Sequence, residues 1–430
     1  MRGLNNGIKI WKKASKIIPG GNGLVSKRPY RFVPNFWPTY YKKSKGIKVK
    51  DLNNKQYIDM SLMGVGTCSI GYAIPNIDNK VIDAIRNGVN CTLNSADEYT
   101  LAKKILKLHK FANRIKFARG GGEAMNIAVR AARAKTKKEI IAFSGYHGWY
   151  DWYLSTNLKN KKNLDTYLLP SLKIAGVPKK LKGTTIPIDL NNFKDLRKIE
   201  KSKNIAAVVL ELCRNDYEKK KNIKKIFNIC KRKKICLIID EITTGWRGSL
   251  GGEYKNYNIK PDILVYGKAL GNGYAISSIL GNSKYLDVLN DSFVSSTAWT
   301  ERVGFAAAEA TVDFFTKKKV HKHINKMGSL IIDGWKKLSS KNNIKILIGN
   351  YKAIPNFKFN YNNSELLSTI FSFEMLKRGY LSTNAVYISF SHKKEHIKKY
   401  LMHCDDVFKI LKNFLKNGKN YKFLKPKRMV

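Results

Sequence analysis

Two carboxylates and a lysine, placed at the ends of apolar runs, are the residues of this chain best suited to do chemistry. Leu237-Ile238-Ile239 ends in Asp240-Glu241, with Thr243-Thr244-Gly245-Trp246-Arg247 just after. Leu264-Val265-Tyr266-Gly267 leads into Lys268 and then Ala269-Leu270-Gly271-Asn272-Gly273. In so lysine-rich a chain a lone lysine means nothing, but this one separates a strand-like run from a glycine-rich turn. A buried acid at the end of one strand and a lysine just past the next is what a pyridoxal 5'-phosphate (PLP) site requires. The lysine forms the Schiff base, and the aspartate holds the pyridine nitrogen protonated so that the ring accepts electrons. Asp240 and Lys268 are therefore the candidate catalytic residues.

Two more stretches have the composition of ligand loops. Ala118-Arg119-Gly120-Gly121-Gly122-Glu123-Ala124 sits between a strand-like run and an alanine-rich helix. Glycines there let backbone N–H groups approach a phosphate at a helix N-terminus, where the dipole favours an anion. A glycine-rich strand-to-helix turn is, on its own, more often only a turn. Gly145-Tyr146-His147-Gly148-Trp149-Tyr150-Asp151-Trp152 follows the next strand. Aromatic rings between glycines can stack on a flat heterocycle, although any one of them is more often core.

These residues need strands that end together. Ile115–Ala118, Glu139–Phe143, Ile205–Glu211, Ile235–Ile239, Asp262–Tyr266 and Ile276–Leu280 read as short apolar strands. Thr100–Leu108, Glu123–Ala134 and Ile223–Lys231 read as helices. Apolar runs with little alternation, separated by helices, predict an α/β fold with a mostly parallel sheet covered on both faces. Ligands then sit at the carboxyl ends of the strands. Gly120, Tyr146, Glu211, Asp240 and Lys268 all fall there.

Three parts are expected. Residues 1–60 read as an N-terminal arm and short hairpin: an extended aromatic segment around Pro29, Pro34 and Pro38, then Gly46–Asp59 turning at Asn53-Asn54. Residues 61–318 form the large domain. Residues 319–430 form a C-terminal α+β part, with strands around Ile344–Ile348 and Phe357–Tyr361 and helices near Leu366–Lys377 and Glu395–Leu415. The arm and the C-terminal part together make a smaller domain.

The chain of 430 residues, 43% hydrophobic and 26% charged, fits a soluble globular protein. Its formal net charge of +50 has two readings, affinity for nucleic acid or another polyanion and a lysine-rich composition from AT-rich coding. The second is favoured, because the lysines are spread along the chain and no zinc-finger, RNA-binding or basic-zipper pattern accompanies them. Cys68, Cys91, Cys213, Cys230, Cys236 and Cys404 are widely spaced, which argues against a zinc ribbon or disulfide scaffold and for free thiols in a cytosol. Met1–Gly23 has no apolar core of a leader, and no run of about 18 apolar residues occurs, so a cytoplasmic chain without membrane spans is expected.

Taken in order, the motifs resemble the class III (ω-type) aminotransferases of fold-type I PLP enzymes, and within them the glutamate-1-semialdehyde 2,1-aminomutase-like branch. The resemblance runs from Pro19-Gly20-Gly21 through Gly46–Asp59, Gly121-Gly122-Glu123-Ala124, Gly145-Tyr146-His147-Gly148 and Asp240–Gly245 to Gly267-Lys268. It implies that Lys268 is the Schiff-base lysine and Asp240 the partner of the pyridine nitrogen. Tyr146 would stack on the ring, with His147 beside it, and Gly121-Gly122 would form the phosphate loop. Glu211 would lie near the cofactor. Thr297 would reach the phosphate of a neighbouring subunit, which implies a homodimer with shared active sites.

The resemblance also implies a function: transfer of an amino group from an amino acid donor to a carbonyl acceptor such as an oxo-sugar. The alternative is the intramolecular shift of glutamate-1-semialdehyde 2,1-aminomutase, and a more distant one is a basic polyanion-binding protein on a PLP fold. Three departures bear on the choice. Gly120-Gly121-Gly122 stands where many relatives have Ser-Gly-Thr, which removes two hydroxyl donors to the phosphate and leaves backbone N–H groups and Thr297 to compensate. Thr300-Glu301-Arg302 replaces Gly-Asn-Pro, and Asn384 falls where the aminomutase has a glutamate. These departures leave the PLP chemistry in place and count against a strict aminomutase. Arg31, Arg119, Arg214, Arg247 and Arg302 are the candidates for binding a substrate carboxylate.

Overall fold

Strands with no polar face need cover on both sides, and Ile205–Leu210, buried at every position, sits inside such a sheet. The computed structural model describes residues 5–167, 170, 172–212, 220–418, 421 and 423–426. Its strands begin with β1 (Tyr41–Lys45), β2 (Lys48–Asp51), β3 (Gln56–Met60), β4 (Arg114–Ala118) and β5 (Ile140–Ser144). They continue with β6 (Thr185–Pro187), β7 (Ile205–Leu210), β8 (Cys236–Asp240), β9 (Ile263–Tyr266) and β10 (Ser277–Gly281). The last are β11 (Ile346–Ile348), β12 (Phe357–Phe359) and β13 (Tyr380–Ser382). The chain divides into two units, Met1–Ile74 with Val320–Val430, and Pro75–Lys319.

The second unit holds a seven-stranded sheet in the order β4-β10-β9-β8-β7-β5-β6. Strands β5 to β9 pair in parallel, while β10 runs antiparallel to both β4 and β9. Two reversals restore direction, so β4 runs the same way as β9. The carboxyl ends of β4, β5, β7, β8 and β9 therefore share one edge of the sheet. Four helices, α1 (Asn6–Ile17), α2 (Pro75–Arg86), α3 (Ala96–Leu106) and α4 (Gly121–Thr136), open the helical series. α4 lies against β7, β9 and β10. Its buried Ala124, Ala128 and Ala131 recur at helical spacing, and their small side chains keep the helix close to the sheet.

The first unit holds a sheet ordered β1-β2-β3-β13 and the separate pair β11-β12. Asp51 accepts from the Asn53 amide (2.8 Å), and Asn54 takes a positive φ of 63°, which makes the expected turn between β2 and β3. One expectation fails at the chain start. The arm opens as helix α1, whose N-cap Asn5 accepts from the Gly7 amide at 2.8 Å and whose Ile8 and Ala14 are buried. Lysines between those apolar positions hid the helical period.

Candidate active site

Asp240 ends β8, in register with Val265 of β9. It is 2% exposed. Its Oδ1 accepts from the Ile242 amide (3.0 Å), and its Oδ2 lies 2.8 Å from His147 Nδ1. A carboxylate only accepts, so the imidazole donates from Nδ1. His147 is itself buried, its ring parallel to Trp152 at 6.3 Å and edge-on to Tyr153, and its Nε2 has no hydrogen-bond partner among the described residues. Packing therefore sets the ring plane, and the carboxylate selects the tautomer.

Lys268 follows β9 by two residues and takes a φ of 40°, in the left-handed region. Its Nζ donates to Thr243 Oγ1 at 2.9 Å. Thr243 lies on the turn that leaves Asp240, so a single loop supplies the acid and the lysine's partner. A Cβ on Gly245 would stand 2.5 Å from the Tyr266 ring and 2.7 Å from the Glu241 carbonyl, so only glycine lets the loop fold over β9. Below it Glu241 is fully buried, accepting from Thr244 Oγ1 and from the Tyr254 amide, both at 2.8 Å. Burial, reinforced by the charge of Glu253, pushes its carboxyl up to about 7.

The glycine turn ends β4 and starts α4. Glu123 reaches back so that its Oε2 accepts from the amides of Gly120 (2.8 Å) and Arg119 (3.0 Å), closing the helix start. Gly121 and Gly122 occupy the first two helical positions, whose N–H groups have no i−4 carbonyl within the helix. Their surroundings are tight. A Cβ on Gly121 would stand 2.9 Å from Ile242 Cδ1, and one on Gly122 would stand 3.1 Å from Tyr150 Cε2.

Tyr146 is half-buried, and its amide donates to Glu211 Oε2 at 3.1 Å. Gly145, at a φ of 129°, makes this possible: a Cβ there would stand 2.5 Å from Glu211 Cβ. Glu211 thus anchors the loop that carries Tyr146 and His147. Thr297 is exposed at the start of the turn Thr297–Thr300.

The turn beyond Thr297 is tied to the glycine loop by Arg119. Its Nε donates to the Ala298 carbonyl (2.8 Å), and its Nη2 donates to the carbonyls of Trp299 and Glu301 and pairs with Glu301 Oε2 at 3.2 Å. Trp299 Nε1 donates to Glu123 Oε1 at 3.4 Å. Arg119 is therefore a tether. Among the other arginine candidates, Arg302 pairs with Asp97 at 2.9 Å, Arg247 is fully buried, and Arg31 is half-buried in the first unit. Arg214, like Cys213, lies outside the described residues. No group of residues suited to hold a metal ion occurs among those described.

Sequence reasoning assigned no role to Thr243, Glu123 or Tyr150. Glu123 carried a signal, an acidic residue three places after the turn glycine. The other two carried none, because their roles depend on which loops meet.

Sheet order, the shared carboxyl edge and the lysine–aspartate pair together define a fold-type I PLP-dependent transferase fold. The FumI protein of Sphingopyxis sp. MTA144, solved in its PLP internal aldimine form, superposes with a TM-score of 0.86 over 99% of each chain at 21% identity. The aminotransferase class-III family model matches residues 32–350, and the chain belongs to that family. The 3-aminobutyryl-CoA aminotransferase of Cloacimonas acidaminovorans (strain Evry) is 31% identical over 327 residues, 74% of each chain. The glutamate-1-semialdehyde 2,1-aminomutase of Wigglesworthia glossinidia brevipalpis is 28% identical over 435 aligned residues, 94% of this chain and 98% of that one. Among the described residues no helix is long and apolar enough to cross a membrane.

Proposed function

We propose that this protein is a PLP-dependent aminotransferase that moves an amino group from an amino acid donor to a separate carbonyl acceptor, an oxo-sugar or similar compound. The observation that carries the reading is the placement of Lys268 and Asp240 at the carboxyl ends of neighbouring strands in a class-III chain.

The residues present fit the cofactor. Asp240 is a buried carboxylate with no lysine or arginine partner among the described residues, suited to a ring nitrogen that carries a proton. Gly121 and Gly122 open a 16-residue helix, suited to a phosphate. PLP, when bound, supplies an electron sink for the pair left on carbon as a C–H bond of the substrate amine breaks. Lys268 Nζ would hold the cofactor and, once free, move the proton between carbon atoms, with Thr243 Oγ1 orienting it. Asp240 would keep the ring-nitrogen proton in place, and His147 would hold the Asp240 side chain in its orientation. The Tyr146 ring would cover the cofactor face, its loop fixed by Glu211. Thr297, exposed on its turn, would serve the phosphate site of the neighbouring subunit of a homodimer.

A second reading, glutamate-1-semialdehyde 2,1-aminomutase, is supported by similarity along nearly the whole chain. Asn384 in place of that enzyme's glutamate favours two-substrate transfer. The test has two arms. The PLP form mixed with single amino acids should convert to the pyridoxamine form, and glutamate-1-semialdehyde alone should yield no aminolevulinate. Lys268→Ala should lose both the visible absorbance of bound PLP and turnover; a coloured, active variant would sink the assignment.

A further inference from the structure

The turn Gly120-Gly121-Gly122 carries no side-chain hydroxyl, and the phenol of Tyr150 lies on the neighbouring loop. The Tyr150 ring lies against Gly122: a Cβ on Gly122 would stand 3.1 Å from Tyr150 Cε2 and 3.2 Å from Cδ2, with Trp149 Cδ1 at 3.8 Å. Gly122 is in helical backbone that any residue can adopt, so what a side chain there would press against is the Tyr150 ring. The loop is pressed onto the helix start at Gly148 as well, where a Cβ would stand 3.1 Å from Gly122 Cα.

Tyr150 is held in place from both sides. Its carbonyl accepts from the amides of Tyr153 (2.9 Å) and Leu154 (3.1 Å), and its ring stacks on Trp149 at 4.8 Å. Its hydroxyl makes no hydrogen bond among the described residues. Burial, and then the charge of Glu123, push the phenol above its ordinary value, so at neutral pH it remains a donor.

We propose that Tyr150 is a cofactor-binding residue whose phenol O–H donates to the phosphate of bound PLP, replacing the side-chain hydroxyl that position 122 lacks. The inference rests on reading Gly121-Gly122 as the phosphate turn. In this chain the hydroxyl would come from the neighbouring loop and not from the helix itself.

The test compares PLP with pyridoxal, which has the same ring and aldehyde without the phosphate. The full-length chain freed of cofactor is titrated with each, reading the visible absorbance that depends on Lys268. Tyr150→Phe keeps the ring and removes the O–H. PLP affinity should fall about tenfold or more, and pyridoxal affinity should stay unchanged. Gly122→Thr alone should also weaken PLP binding, because the Tyr150 ring is in its way. Combining Gly122→Thr with Tyr150→Ala should return PLP affinity to within about threefold of the parent. A PLP-to-pyridoxal ratio unmoved by Tyr150→Phe overturns the inference, as does Gly122→Thr binding PLP as well as the parent. A parent that binds no PLP through Lys268 overturns the reading of the site and this inference with it.

Discussion

His147 Nδ1 and Asp240 Oδ2 lie 2.8 Å apart, and neither side chain is more than 3% exposed. The residues are 93 positions apart in the chain, one on the loop leaving β5 and the other at the end of β8. The contact fixes the orientation of the Asp240 side chain, whose other oxygen accepts from the Ile242 amide.

His147→Ala removes that donor and leaves a buried carboxylate short of a partner. Folding stability should fall by about 1–3 kcal/mol, and kcat should fall about tenfold. Urea unfolding and steady-state rates on the same preparation check both. A stable variant with parental kcat would show that Asp240 does not depend on His147.

Thr243→Val keeps the shape of the side chain and removes the oxygen on which Lys268 Nζ rests. The expected result is a fall of roughly three- to tenfold in kcat, with the unfolding midpoint nearly unchanged. A variant that matches the parent would remove Thr243 from the set of positioning residues.

Gly145→Ala should be among the most damaging small changes in the protein. The new Cβ would meet Glu211 at 2.5 Å, and the backbone would have to hold a φ of 129°. A loss of about 2–4 kcal/mol is expected, with weaker PLP retention because the Tyr146 loop shifts. Thermal and urea melts with and without added PLP separate the two effects.

Glu241 sets a pH dependence. Its folded-state carboxyl, raised to about 7 from an ordinary 4.5, binds more protons than the unfolded chain between those values. Stability therefore falls as pH rises from about 4.5 through about 7 and levels off above that. The change from this group is on the order of 3 kcal/mol. Glu241→Gln keeps an acceptor for the Tyr254 amide and should flatten this part of the profile. Unfolding midpoints at pH 5.5 and 8 for parent and variant test the sign.

The parallel strands and the motifs at their ends were legible because both are local. Ile205–Leu210 is apolar at every position, and Asp240 and Lys268 each follow such a run. Short pairings carried no comparable signal. β13 is three residues long and joins β3 from more than 300 positions away, so no window of sequence contains its reason. Helix α1 was obscured by lysines within an apolar period. Arg119 was legible only as a positive charge, because its partners at Ala298, Trp299 and Glu301 lie about 180 residues downstream.

The contact between Gly122 and Tyr150 also limits the paths by which this sequence can change. A Ser or Thr at position 122 would press on the Tyr150 ring while that ring stays in place, and on the inference drawn above a smaller residue at 150 arriving first would leave the phosphate without a hydroxyl. Each single step loses something that only the second step restores. The two positions should therefore vary together among descendants of this chain, with a large residue at one found beside a small residue at the other.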